Sequence, residues 1–352
     1  MENKKDILFI CNGDHPATQG GVQTFGRVLN RIFSDRIVFL SYKTPRKKIF
    51  NIEGVIEVYS SNFFFRVFNK ILKNKIRNFF MKKNIEKLNP NICILRTPTD
   101  IKVLEKINCK KILVQHINYK IYTKEDFKIK GIVEKIKREL DYFVFLSPFD
   151  REKFIKELKF PKEKAIVIRH SCELEILSKA KIKNKRLIMI CRLNNKHKRI
   201  DLAIKSMKKL QDYTLEIYGD GSDRKYLENL IKKENLSNVF LCGGTNQIKE
   251  KLDNNSIFIM TSDFEGYGIT NIEAMRRGLP IILRNTFEAA PDIINNNGIL
   301  LEKEWNEDKF VEAVNKIYDN YEFYSKNSIE MGKRHDFEII KKQWEKLFLT
   351  LE

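Results

Sequence analysis

The feature that most constrains the fold is an alternation repeated along the whole chain. Short β-branched and apolar runs, each long enough for one buried strand, are separated by longer stretches of helical periodicity. In the first half the runs are Ile7–Cys11, Ile37–Ser41, Val55–Tyr59, Ile92–Leu95, Ile112–Gln115, Tyr142–Leu146 and Ala165–Ile168. The second half has Leu187–Cys191, Thr214–Tyr218, Val239–Cys242, Ser256–Met260, Pro280–Leu283 and Gly298–Leu301. Amphipathic stretches such as Gln23–Phe33, Ile200–Leu210 and Asp223–Glu234 lie between them. Strands apolar on both faces need cover on both, and the alternation supplies it as a parallel sheet flanked by helices. The fold class is therefore α/β. Two such series in 352 residues predict two Rossmann-like, doubly wound parallel-sheet domains. The polar, non-periodic stretch Leu177–Lys185 reads as their linker, giving an N-terminal domain over 1–178 and a second over 179–332.

Composition narrows the class further. No run of about 18 apolar residues occurs, so no spanning helix is expected. The opening MENKKDILFICNGD reads as a charged lead into a strand rather than a signal peptide. The six cysteines are scattered, with no CxxC pair, as in a reduced cytoplasmic protein and unlike a disulfide frame or zinc site. Lys and Arg number 66 against 46 Asp and Glu, and the net charge of +20 predicts attraction to polyanions.

Ligands of doubly wound sheets bind at the carboxyl ends of the strands, so those loops carry the chemistry. After the first run, Gly20 and Gly21 stand directly before a helix and would let backbone approach a phosphate or sugar. After Leu187–Cys191 come Arg192 and Lys198, a fork-like guanidinium and a compact ammonium suited to a pyrophosphate. In a chain this basic, such a pair is more often solvated surface; the strand-end position favours the functional reading. Gly219 and Gly221 open a further strand-to-helix loop.

The sharpest constellation is SDFEGYGITNIEAM, with Glu265 and Glu273 eight positions apart around Gly266 and Gly268. Free amides and a helix dipole converge there on an anion, and the two carboxylates can accept bonds from hydroxyls beside it. A ligand with a pyrophosphate between two sugars fits. The competing reading is a capping box, Thr270-x-x-Glu273, in which Glu273 only closes a helix.

These motifs occur in one order: GGVQTF, RLNNKHKRID, IYGDGSDRKYLENL, NVFLCGG and TSDFEGYGITNIEAMRRGLPII. In that order they resemble the retaining glycosyltransferases of family 4, which have the GT-B fold: two Rossmann-like domains with a cleft between them. The resemblance spans essentially the whole chain and is strongest over 186–300. It implies a nucleotide-sugar donor. Arg192 and Lys198 would neutralise its pyrophosphate, and Glu265 would hold the transferred sugar, with the amides of Gly266, Tyr267, Gly268 and Ile269 nearby. Glu273 would bind the ribose, Gly219, Gly221 and the Leu241–Thr245 loop would border the base, and Gly20 and Gly21 would approach the diphosphate. His116, after the run ending in Gln115, would face the acceptor side; the plainer reading is a hydrogen-bonded loop histidine. His15 is a weaker candidate, and His170, His197 and His335 read as structural or exposed. Residues 333–352 would form a helix packing back on the first domain. The sequence departs from the family at Cys191, where a glycine is usual, and at Arg199, where Lys-Gly is usual. No Asp-x-Asp occurs, so neither a metal nor another cofactor is expected.

The segment 63–83 carries seven basic residues, six Phe and no acid. Phe65, Phe68, Leu72, Ile76 and Phe79 recur at helical spacing, as do Arg66, Lys70, Lys73 and Arg77. Such a helix suits an anionic bilayer surface, and with it a lipid-linked or oligosaccharide acceptor at the inner face of the cell membrane. The bland alternative is an ordinary helix with a Phe core stripe. Nucleic acid is not an expected partner, since no reading module is present. The alternative readings are a catalytically idle subunit of the same fold supporting a partner, a basic nucleic-acid- or membrane-binding protein, and an inverting transferase or epimerase.

Overall fold

In the computed structural model, residues 5–42, 44–45, 47–58, 75–123, 131–180 and 183–351 are described. Each run picked out above forms a strand. In chain order these are β1 (Ile7–Asn12), β2 (Ile37–Ser41), β3 (Val55–Glu57), β4 (Ile92–Leu95), β5 (Lys110–Val114), β6 (Tyr142–Phe145) and β7 (Ala165–Val167). They continue with β8 (Arg186–Ile190), β9 (Thr214–Tyr218), β10 (Val239–Gly243), β11 (Ile257–Met260), β12 (Ile281–Arg284) and β13 (Gly298–Leu301).

The first seven make one sheet in the order β3-β2-β1-β4-β5-β6-β7, and the rest make a second in the order β10-β9-β8-β11-β12-β13. The neighbouring strands pair in parallel. Parallel pairing forces a crossover between successive strands, and the amphipathic stretches supply it, as in the helices Gly21–Phe33 and Arg224–Lys233. Both sheets reverse their direction of growth at one place, between β1 and β4 in the first and between β8 and β11 in the second.

Two compact units result: Met1–Ser171 with Ile340–Glu352, and Cys172–Ile339. The core of the first is built on Leu8, Ile10, Phe143, Phe145 and Phe154; that of the second on Leu187, Ile217, Ile259 and Phe310. The helix Phe337–Leu349 buries Trp344 and Phe348, and these lie against Phe25 and Phe33 at ring separations of 5.9 and 4.4 Å. The Lys-rich stretch does not behave as a free linker. Leu177 N–H donates to Arg276 O (2.9 Å) and Asn184 N–H to Ser256 Oγ (2.7 Å), which fastens both its ends to the second unit. Its polarity reflects an exposed face rather than a lack of partners.

Candidate active site

The reversal point of a doubly wound sheet leaves a crevice, because the loops on either side run to opposite faces. In the second unit that crevice lies beyond β8 and β11, which pair at Leu187–Ile257 and Ile188–Phe258. The loop after β8 carries Cys191 and Arg192, then a single helical turn Asn195–Lys198 capped by the Asn194 side chain. The loop after β11 runs from Thr261 to Gly268 and enters the helix Ile269–Arg276. Adjacent strands thus bring Lys198 and Glu265 together across 67 residues of sequence.

Their side chains form an ion pair, and Ser262 Oγ donates a further bond to Glu265 Oε1 (3.1 Å). Arg192 is exposed, and its side chain has no hydrogen-bond or ion-pair partner among the described residues. The crevice therefore offers a guanidinium, an ammonium and a carboxylate from neighbouring loops. Cys191 contributes no nucleophile: burial pushes its thiol up to about 12, Glu265 adding to the rise and Lys198 opposing it.

Helix Ile269–Arg276 resolves the competing reading of Glu273. Its N-cap is Gly268, at φ +82°, and no side chain caps it. Thr270 is already inside the helix, so Thr270-x-x-Glu273 is not a capping box. Glycine is needed here because φ in the left-handed region strains any other residue. Glu273 lies near the Cys172 thiol, which burial first, and then the Glu273 charge, pushes up to about 12. Tyr267 turns its ring into the unit, where its hydroxyl meets His335 Nε2 (3.2 Å) and Asp292 Oδ2 (3.5 Å). Only its backbone is left for a ligand.

Gly219 and Gly221 have an internal cause. A Cβ on Gly219 would stand 1.8 Å from Cys191 O, and one on Gly221 2.3 Å from Leu193 O. The loops after β8 and β9 press backbone to backbone, joined by the Leu193 N–H bond to Asp220 O (3.0 Å). Both glycines are thus explained by packing within the second unit.

In the first unit, Gly20 (φ +149°) is the N-cap of the helix Gly21–Phe33 and stands with Gly21 at the end of the loop after β1. His116 follows β5 and stacks on His170 (5.2 Å, 13° between planes), with Phe25 edge-on at 4.8 Å. Its Nε2 is buried with no hydrogen-bond partner among the described residues. Burial first, then the His170 ring and the Arg96 charge, hold its imidazole well below the usual value, so it is neutral near pH 7. His15 spends both nitrogens locally: Nδ1 accepts from Ala17 N–H and Nε2 reaches Glu57, each at 3.1 Å. His197 is exposed, its ring 5.6 Å from Phe264.

Several polar groups at these strand ends escaped the sequence reading. Asp14 and Arg96 pair across the β1/β4 reversal, and Gln23 donates to Asp14 (3.3 Å). Asp263 is shared between Arg199 and Arg284 at the β8/β11 reversal. No local pattern marks the ion pairs, because their partners are 21 to 82 residues apart.

Of the basic segment, Phe65, Arg66, Phe68, Lys70 and Lys73 lie outside the described residues. Arg77 lies on the helix Lys75–Leu88, its guanidinium donating to Asn78 Oδ1 and standing 5.6 Å from the Tyr42 ring. That helix buries Met81 and Ile85, and leaves Phe79 65% and Phe80 38% exposed. The Phe stripe at Phe79 is therefore not core. Among the described residues no helix is long and apolar enough to cross a membrane, and no three His, Cys, Asp or Glu are grouped to hold a metal ion.

With this geometry in hand, comparison with known proteins is informative. The glycosyl transferases group 1 family matches residues 175–335, which contain both loops of the β8/β11 crevice. The chain is 34% identical over 161 residues to the poly(ribitol-phosphate) alpha-N-acetylglucosaminyltransferase of Staphylococcus aureus, covering 43% of this chain and 33% of that protein. It is 28% identical over 257 residues to an uncharacterized glycosyltransferase of Haemophilus influenzae, covering 68% and 70%. The chain thus spans only about a third of the S. aureus relative. Anabaena HepE, solved in complex with UDP and glucose, superposes with a TM-score of 0.78 over 97% of this chain and 99% of its own, at 15% identity. That likeness shows the fold, GT-B.

Proposed function

We propose that this chain is a retaining glycosyltransferase of the glycosyl transferases group 1 family that moves a sugar from a nucleoside diphosphate sugar, UDP being the expected nucleotide, to a lipid-linked or glycan acceptor in cell-surface polysaccharide assembly. The observation that carries the reading is the Lys198–Glu265 pair at the β8/β11 reversal, on the same loops as Arg192, whose side chain has no partner among the described residues. The alpha-N-acetylglucosaminyltransferase activity of the S. aureus relative and the UDP and glucose bound to HepE support the choice of donor.

In this reading Lys198 and Arg192 take the charge that develops on the diphosphate as the bond from the sugar's anomeric carbon to phosphate oxygen breaks. The acceptor hydroxyl attacks the same face, and its proton passes to the departing phosphate oxygen. Glu265 holds hydroxyls of the transferred sugar, Glu273 the ribose, and the amides of Gly266 to Ile269 the remaining oxygens. Gly20 and Gly21 approach the diphosphate, and neutral His116 orients the sugar or acceptor hydroxyl through a ring nitrogen. Catalysis then rests on positioning and electrostatics, with no protein nucleophile, metal or other cofactor. The exposed Phe79 and Phe80, among the cations of the helix Lys75–Leu88, support docking on an anionic bilayer at the inner face of the cell membrane.

The test is a thermal-shift panel of UDP-, GDP- and CDP-sugars on the wild type and on Glu273→Ala. Stabilisation by one nucleotide, weakened in the variant, is the expected result and names the base. No stabilisation by any of them would sink the donor assignment.

A further inference from the structure

The loop after β11 is stitched to its surroundings more heavily than a surface loop needs. Asp263 N–H donates to His197 O (2.8 Å), and Thr261 Oγ1 donates to Lys198 O (2.9 Å). Arg284, at the end of β12, donates from Nη1 both to Thr261 O (2.7 Å) and to Asp263 Oδ1 (2.6 Å). Arg199 Nη1 reaches Asp263 Oδ2 (3.4 Å), while its Nε and Nη2 engage Asp201 (3.1 and 3.2 Å). Asp263 is thus the carboxylate of two guanidiniums at once. It lies two residues before Glu265 and is bonded to the residue before Lys198.

Two of these features are costly by themselves. Arg284 is 5% exposed, and a buried guanidinium without a carboxylate loses several kcal/mol of hydration uncompensated. Arg199 adopts φ +47°, a left-handed conformation that a non-glycine residue keeps only where its surroundings over-determine it. Two carboxylates, Asp201 and Asp263, do so here. With Asp263 absent, Arg199 would keep Asp201, but Arg284 would lose its carboxylate and the tie between the two loops would be broken.

We propose that Asp263 is a positioning residue: by taking up Arg199 and Arg284 it locks the loops after β8 and β11 together, so that Lys198 is held against Glu265 and meets the donor diphosphate together with Arg192. The proposal rests on the donor reading above. Asp263 itself touches no donor in this account and acts through Lys198 and Glu265.

A double-mutant cycle read by calorimetric titration with UDP-glucose and UDP-N-acetylglucosamine tests it, with melting temperature followed in parallel. Asp263→Ala is expected to raise Kd about tenfold, and Asp263→Glu to restore it to within about threefold. In a Lys198→Ala background the same Asp263→Ala change should cost less than about twofold, because the group it positions is gone. Should Asp263→Ala fail to fold with Arg284 left unpaired, Asp263→Ala with Arg284→Met removes both charges and should show the same tenfold loss. An unchanged Kd, or an equal loss in both backgrounds, overturns the positioning role while leaving the donor site intact. A wild type that binds no UDP-, GDP- or CDP-sugar overturns the donor reading and this proposal with it.

Discussion

The two sheets reverse at topologically equivalent places, yet the strand ends there are furnished differently. At the β1/β4 reversal Asp14 pairs with Arg96, Asn12 donates to the buried Asp100 (2.5 Å), and the nearby imidazoles of His116 and His170 are held neutral. Beyond β8 and β11 Lys198 pairs with Glu265 in the same way, but the exposed Arg192 beyond the end of β8 has no side-chain partner among the described residues. One reversal point is charge-compensated from within; the other keeps charge available. The shared topology supplies a crevice in both units, and the side chains hung on the strand ends decide what each crevice can hold.

The sharpest way to break this contrast is at Lys198. Lys198→Ala removes a charge expected to stabilise the leaving diphosphate, and kcat should fall about 100- to 1000-fold, measured as nucleoside diphosphate release. The same test at Arg96, Arg96→Met, should change kcat by less than about threefold; a loss as large as that of Lys198→Ala would erase the distinction. Gly219→Ala places a Cβ against Cys191 O at 1.8 Å and should cost about 3 kcal/mol in urea denaturation, since backbone on both sides must shift.

A pH titration sharpens the other half of the comparison. Burial lowers the His170 imidazole to about 3 from an ordinary 6.5. A depressed histidine takes up its proton more readily when unfolded, so its stabilising contribution is full above pH 6.5 and declines as pH falls toward 3. The first unit should lose roughly 2 kcal/mol from this group between pH 6.5 and 5. A His170→Phe chain should show a shallower acid slope in denaturant melts; an unchanged slope would exclude His170 as its source. The smallest effect is expected at the surface. Phe79→Ser with Phe80→Ser should leave the melting temperature within about 2 °C and reduce co-sedimentation with phosphatidylglycerol vesicles roughly tenfold.

Much of this could be read before any coordinates. The strands were legible because β-branched runs such as Ile37–Ser41 and Ser256–Met260 carry their signal locally, the second appearing as β11 (Ile257–Met260). Glu265 and Lys198 were legible as members of an ordered set of motifs, though their pairing was not. The capping-box reading of Glu273 failed because Gly268 starts the helix earlier than Thr270, a choice set by backbone conformation rather than by side-chain pattern. The linker reading failed because a Lys-rich exposed strip and a free linker have the same composition. Asp263, Arg284, Asp14 and Arg96 were invisible for a third reason: only the parallel register brings such distant residues together.

The most direct measurement is hydrogen exchange of the full chain, read by mass spectrometry with and without a saturating UDP-sugar. The account predicts slowed exchange in peptides covering 191–199 and 261–273, lost in Lys198→Ala. Protection confined to peptides after β1 and β4, or none at all under conditions of demonstrated binding, would contradict it.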